Sequence, residues 1–498
     1  MRKKNLGVSF VILFVCGIWL FQLAFSSPVE ESSGQETLYS MESLKEDFKI
    51  LRNALEEGHG ALYRFSTKEE MDKRFNDVFS KLNKTKTERE FLKLLAPLVA
   101  SVNCGHTRLR PSTALTRRLN RDAVFLPFRI KFIKGKAFLL HNLSDNIDLN
   151  MGGQVIAING RSIPDIMEVF LGAVSSDALI ETSKFRYLES TQQFSSLFNL
   201  FFGRTDQYEV EYRSPQTGQV EKVTVPGYPI AELNARFEKR YPELNQSNPP
   251  ISFEYKEGIP VLTVRTFGGT PYSRAKISFP VFVKDTFQEL IEKGEENLII
   301  DMRNNGGGSD AFGKILFAHL IDKPFDYYGA LEMKKLEFDF LEFSNVPKKR
   351  RIKSEKFFRK NDRGWFDFLA HPNVGLQKPI EPHFEGKVYV LINGGSFSAT
   401  GETTSLMHFH KKAVFIGEEC GAGYYGNTSG SMPTLILPHT KILVGVPLMR
   451  YTMAVDGYPK DRGIIPEFPV EPTIEDLLNG QDTVLNYALK LIKSKSGK

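Results

Sequence analysis

Cysteine is scarce: three residues in 498, at positions 16, 104 and 420, too few for a scaffold held by disulfides. An excess of one charge is missing as well. The formal net charge of +6 comes from 65 basic and 59 acidic residues, and the run 348–363 alone holds nine basic and two acidic side chains; without it the balance is 56 against 57. A nucleic-acid partner calls for basic charge spread over folded surfaces, so no nucleic acid is expected. With 41% hydrophobic and 25% charged residues the chain does not read as a multi-span membrane protein. Neither a His-Glu-x-x-His pair nor clustered Cys/His spacing occurs, so no metal or other cofactor is implied. No internal repeat with a period of roughly 20–50 residues is found.

What is present begins at the N-terminus. Arg2, Lys3 and Lys4 precede an apolar stretch over 6–25, and Ala24-Phe25-Ser26 offers small residues for a cut. Residues 1–26 read as an export signal or, because the stretch nearly matches a bilayer, as an uncleaved membrane anchor. Either way the body faces outward, periplasmic or associated with the cell envelope.

Residues 38–120 carry helical periodicity, and Thr67 to Glu70 and Thr87 to Glu90 fit reciprocal N-terminal caps. Residues 121–228 turn to short β-rich runs, a small β-domain. From 250 to 498 strands alternate with helices, which predicts an α/β core on a largely parallel sheet. Within it, 324–383 combines aromatics with the basic run and reads as a solvated insertion or lid.

Two loops carry chemistry. Met302-Arg-Asn-Asn-Gly-Gly-Gly-Ser follows the predicted strand 298–301, and its glycines let backbone N–H groups converge on a phosphate or an oxyanion. Ile315 stands where a phosphate loop needs a hydroxyl for magnesium, so the nucleotide reading is poor. Gly394-Gly-Ser396-Phe-Ser398-Ala-Thr-Gly-Glu402 links the strand 388–392 to a helix. Its serine can present Oγ at the sheet edge beside a helix N-terminus, although serine there is also an ordinary cap.

Together, 298–308, 391–400 and 413–421 resemble the tail-specific (C-terminal processing) serine peptidase family, over most of 260–470. Gly152-Gly-Gln-Val-Ile-Ala-Ile-Asn-Gly160 is similar to the second half of a PDZ module. The resemblance implies a ClpP/crotonase-like α/β core with a helical N-terminal domain and an inserted PDZ-like β-domain. It implies Ser398 as nucleophile on a protein or peptide substrate, with oxyanion donors at the N–H groups of Ala399 and Gly307. The Ser–Lys branch of the family carries its lysine about 25 residues after the serine, where this chain has Gly423. A hydroxyl still needs a base. His106, in Asn103-Cys-Gly-His-Thr, resembles the Gly-His element of the tricorn-like branch and implies an imidazole base. The acid orienting it is either Asp461, in Lys460-Asp-Arg-Gly-Ile-Ile-Pro, or Glu402, one helical turn past the serine. If both loops line one cleft, a Cys104–Cys420 disulfide would tie the base to the core. The reading is therefore an exported serine endopeptidase. Its rivals are a silent peptide-binding protein on the same fold and an envelope-binding protein using the basic aromatic segment.

Overall fold

The computed structural model describes residues 36–245 and 248–496. The N-terminal apolar stretch lies outside these, and among the described residues no helix is long and apolar enough to cross a membrane.

The core is a six-stranded sheet in the order Ile251–Lys256, Ile259–Val264, Asn297–Asp301, Lys387–Ile392, Val414–Gly417, Phe468–Pro469. The first pair is antiparallel and the rest run parallel. These strands read as unbroken apolar runs because both faces are covered. Leu298, Ile300, Val388, Val390 and Ile392 face the main core, while Ile299, Tyr389, Leu391 and Ile416 face the opposite side beneath the C-terminal helix Thr483–Ser496. Neighbouring parallel strands end together, Asp301 opposite Leu391, so the loops that follow them emerge side by side. That edge is where open α/β sheets build sites.

Helices Met41–Gly58, Lys68–Ser80 and Glu88–Ala100 form the N-terminal region. Both expected capping boxes are present: Thr67 and Thr87 accept from the N–H groups of Glu70 and Glu90, whose carboxylates accept in return. Leu44, Phe48, Phe75 and Phe91 bury into the same continuous core as the central sheet, so these helices are one wall of it. Residues 128–226 form an antiparallel sheet with a separate core around Phe170, Phe194, Phe198 and Tyr208. Helices Ile163–Ala173, Thr182–Leu188 and Thr191–Phe202 interrupt it, none anticipated from the β-rich texture.

The segment 324–383 differs from expectation. Its strand Tyr328–Met333 pairs with Met449–Met453, and Tyr327, Leu331 and Met333 are buried. Only the basic stretch beyond Pro347, built of short turns, is largely exposed. The segment is thus an integral layer of the core, because its apolar residues precede the charge and pair with a later strand.

Candidate active site

Ser398 caps the helix Ala399–Phe409 with φ 57 and ψ −126, a left-handed backbone that costs a non-glycine residue about 1–3 kcal/mol. The turn is over-determined. Asn393 Oδ1 accepts from the N–H groups of Asn304 and Gly395, Ser396 Oγ donates to Met302 O, and Phe397 N–H donates to Asn305 O. These bonds lace the serine turn to the glycine loop, so the strain is held by two adjacent strand ends. Asn304, Asn305, Asn393 and Ser396 lay inside the sequence motifs, yet nothing there distinguished them from ordinary turn residues.

His106 arrives from the N-terminal wall. After the helix Glu88–Ala100 the chain turns through Asn103 in the left-handed region and returns as Leu109–Arg110, paired with Leu443–Gly445. Gly105 sits where a Cβ would meet the Phe397 ring at 2.7 Å, so glycine permits the approach. The His106 ring packs tilted on Phe397 with centroids 4.8 Å apart, and its Nε2 lies 3.2 Å from Ser398 Oγ. Burial, and next the Arg108 guanidinium, lower the His106 pKa, leaving a neutral imidazole near pH 7. Behind it, His59 Nδ1 accepts from Ala61 N–H, so its Nε2–H donates to Thr107 Oγ1 at 2.7 Å and braces the turn.

Ala399 is the first residue of its helix and the N-cap side chain makes no capping bond, so its N–H has no intrahelical partner. Gly307 packs against it: a Cβ there would meet Phe397 O and Ser398 Cβ at 2.7 Å and Ala399 N at 2.9 Å.

Residues 261–470 match Peptidase family S41. The matched stretch is the α/β core, 210 of the 498 residues, and the family is one of serine-type peptidases. No curated protein matches it in sequence. Among solved structures the mature form of CPAF superposes with a TM-score of 0.59 at 15% identity, covering 91% of this chain and 97% of that one. Mature CPAF complexed with lactacystin gives 0.58 at 15% identity, with the same coverage of 91% and 97%. The photosystem II D1 C-terminal processing protease gives 0.39 at 15% identity, over 88% of this chain and 98% of that one.

Within the S41 domain several expected contacts are not made. Gly307 N–H is turned to Asn305 Oδ1 at 3.0 Å, as in an Asx turn, and so is not free for an oxyanion. The neighbouring Gly308 forms a parallel bridge with Phe267 that uses Gly307 O and Ser309 N–H, leaving Gly308's own N–H outside the pairing.

Asp461 is exposed, and only its carbonyl is engaged, accepting from Leu179 N–H at 3.1 Å; Arg462 beside it turns back to Glu419. It therefore does not orient His106. Neither does Glu402, whose carboxylate is buried and taken up by Tyr328 Oη and Asn427 Nδ2. Tyr328 Oη stands 2.8 Å from both Glu402 Oε2 and Asp310 Oδ2, and one phenolic hydrogen cannot serve both. One carboxyl must carry a proton, and burial, reinforced by Asp310, pushes the Glu402 pKa up to about 8. His371, from the integral segment, completes the cluster with Nε2 3.1 Å from Asp310 Oδ2.

Cys104 and Cys420 are both free and buried, so the disulfide does not form. Their sulfurs face different carbonyls, Thr428 O and Ser396 O. Lys411 and Lys412 stand at the far end of the helix that begins after Ser398, Lys412 paired with Asp322.

Proposed function

We propose that the chain is an exported serine endopeptidase in which Ser398 is the nucleophile and His106 its general base. The reading rests on one observation above the rest: a neutral imidazole within hydrogen-bond reach of a serine held on a left-handed turn at a helix start. Ser398 Oγ attacks the peptide carbonyl carbon and its proton passes to His106 Nε2. The carbonyl oxygen gains negative charge and takes hydrogen bonds from Ala399 N–H and, in place of Gly307, from Gly308 N–H. Collapse expels the amine, which leaves with the proton from His106. The same imidazole then deprotonates a water that cleaves the acyl-enzyme and returns Ser398. The inserted β-domain, with the turns at Gly152 and Gly160 bounding the strand Gln154–Ile158, acts as a PDZ-like peptide-binding module.

The test is covalent labelling by a fluorophosphonate together with hydrolysis of a denatured protein substrate. Labelling is expected at Ser398, absent in Ser398→Ala and slowed at least roughly a thousandfold in His106→Ala. Intact binding of peptides without labelling or hydrolysis would replace this reading by that of a silent binding protein.

A further inference from the structure

Neither acid suggested by the sequence reaches His106, yet a carboxylate does approach it from the β-domain. Asp177 lies in the loop after the helix Ile163–Ala173, only 4% exposed. The loop is tied to the catalytic wall: Ala178 N–H donates to Asn103 O at 3.1 Å, and Gly105 N–H donates to Asp177 Oδ1 at 2.8 Å. One donor atom each from Asp177, His106 and Cys104 lies within 4.8 Å of the others. Two of the buried polar atoms here lack any hydrogen bond, Asp177 Oδ2 and His106 Nδ1. The two groups are close without being in hydrogen-bond contact; an orphaned carboxylate oxygen and an orphaned imidazole nitrogen are costly to leave unpaired, and a small approach would satisfy both. Gly423 borders this space: its N–H faces the Asp177 carboxylate, and a Cβ there would stand 3.9 Å from Asp177 Cβ.

We propose that Asp177 is the positioning residue of this site, its Oδ2 accepting from His106 Nδ1–H so that the unprotonated Nε2 faces Ser398. The inference rests on the reading of Ser398 and His106 given above. It makes the β-domain a contributor to catalysis, since the loop carrying the acid belongs to it. The same three residues have the composition of a cation site, but burial pushes the Cys104 thiol up to about 11, and a protonated thiol is a poor metal ligand. Burial also raises Asp177 to about 6, against the pull of the Gly105 N–H, the Arg64 guanidinium and the Gly423 N–H, so the carboxylate is ionised above that pH. Arg108 is the other charge that bears on His106 and Asp177.

Two measurements separate the outcomes. In the full-length wild-type chain with 15N-labelled histidine, His106 assigned through His106→Gln, the proton is expected on Nδ1; a proton on Nε2 overturns the proposal whether or not the chain hydrolyses peptides. In Asp177→Asn the amide oxygen stays with the Gly105 N–H, which leaves the NH2 to donate toward Nδ1, so the proton moves to Nε2 and kcat falls roughly 10²–10⁴-fold with KM nearly unchanged. A loss below about threefold in Asp177→Asn, with the tautomer unaltered, likewise overturns it. Absence of any labelling at wild-type Ser398 would instead remove the peptidase reading, leaving the tautomer experiment to judge Asp177 alone. If Asp177→Asn fails to fold, the wild-type tautomer still supports or overturns the pairing. Added Zn²⁺ that displaces the Nδ1 proton at micromolar concentration would favour the cation site over the carboxylate pair and count against the proposal.

Discussion

Glycine 308 combines a φ of +140 with a close backbone approach: a Cβ would stand 2.2 Å from Phe267 C and 2.3 Å from Gly268 N. An alanine could be accepted only by moving the loop off the neighbouring strand, which would turn the N–H away from the reacting carbonyl. Gly308→Ala is therefore expected to lower kcat about 10²–10³-fold, the usual loss for one oxyanion donor, with a smaller change in KM. Steady-state kinetics on a peptide substrate measures both, and an unchanged kcat would return the donor role to another N–H. At this scale the motif was legible while its atomic roles were not. Three successive glycines announce a tight loop, but which N–H is spent on Asn305 depends on a side chain bending back over two residues.

At the scale of elements, the segment 324–383 is pinned beside the helix Ala399–Phe409 by Tyr328 and His371, which share Asp310. Tyr328→Phe removes the hydroxyl between Glu402 and Asp310, which strands Glu402 Oε2 and leaves Asp310 Oδ2 with His371 alone. The expected cost is about 1–3 kcal/mol of stability, read by urea denaturation at pH 7. If the segment were a solvated lid, the substitution would cost almost nothing. The sequence reading missed this because basic and aromatic residues dominate the stretch, whereas its fate is set by a pairing with Met449–Met453, more than a hundred residues later. The capping boxes were legible for the opposite reason, since Thr67 and Glu70, or Thr87 and Glu90, are three residues apart and need no distant partner.

For the whole molecule, two buried titratable groups predict a stability that falls below about pH 4.5 and again above about pH 6.5. His59 is fully buried, and burial, then Lys334, lowers its pKa to about 3 from near 6.5. The unfolded chain binds a proton there that the folded chain refuses, so stability drops as pH falls from about 6.5 toward 3. Glu402 acts in the reverse sense. Its proton is kept in the folded chain up to about 8 and lost in the unfolded chain near 4.5, so stability declines as pH rises between those values. Thermal unfolding across pH 4–9 checks both: about these limits, His59→Gln should flatten the acid limb and Glu402→Gln the alkaline one. An acid limb equally steep in His59→Gln would assign it to other groups.

The order of strands and helices in the α/β core, the glycine loop, the serine turn and the Asn103-Cys-Gly-His turn were determined by the sequence itself, because apolar period, glycine spacing and caps act between near neighbours. Tertiary structure alone decided which distant groups meet. It set His106 3.2 Å from Ser398 across 292 positions, left Asp461 in solvent, closed Glu402 against Tyr328, and brought Asp177 out of the β-domain to the neighbourhood of His106. The physical reason is that a carboxylate's role depends on which partner and how much water surround it, and both are fixed only when separate walls of the core close on one another.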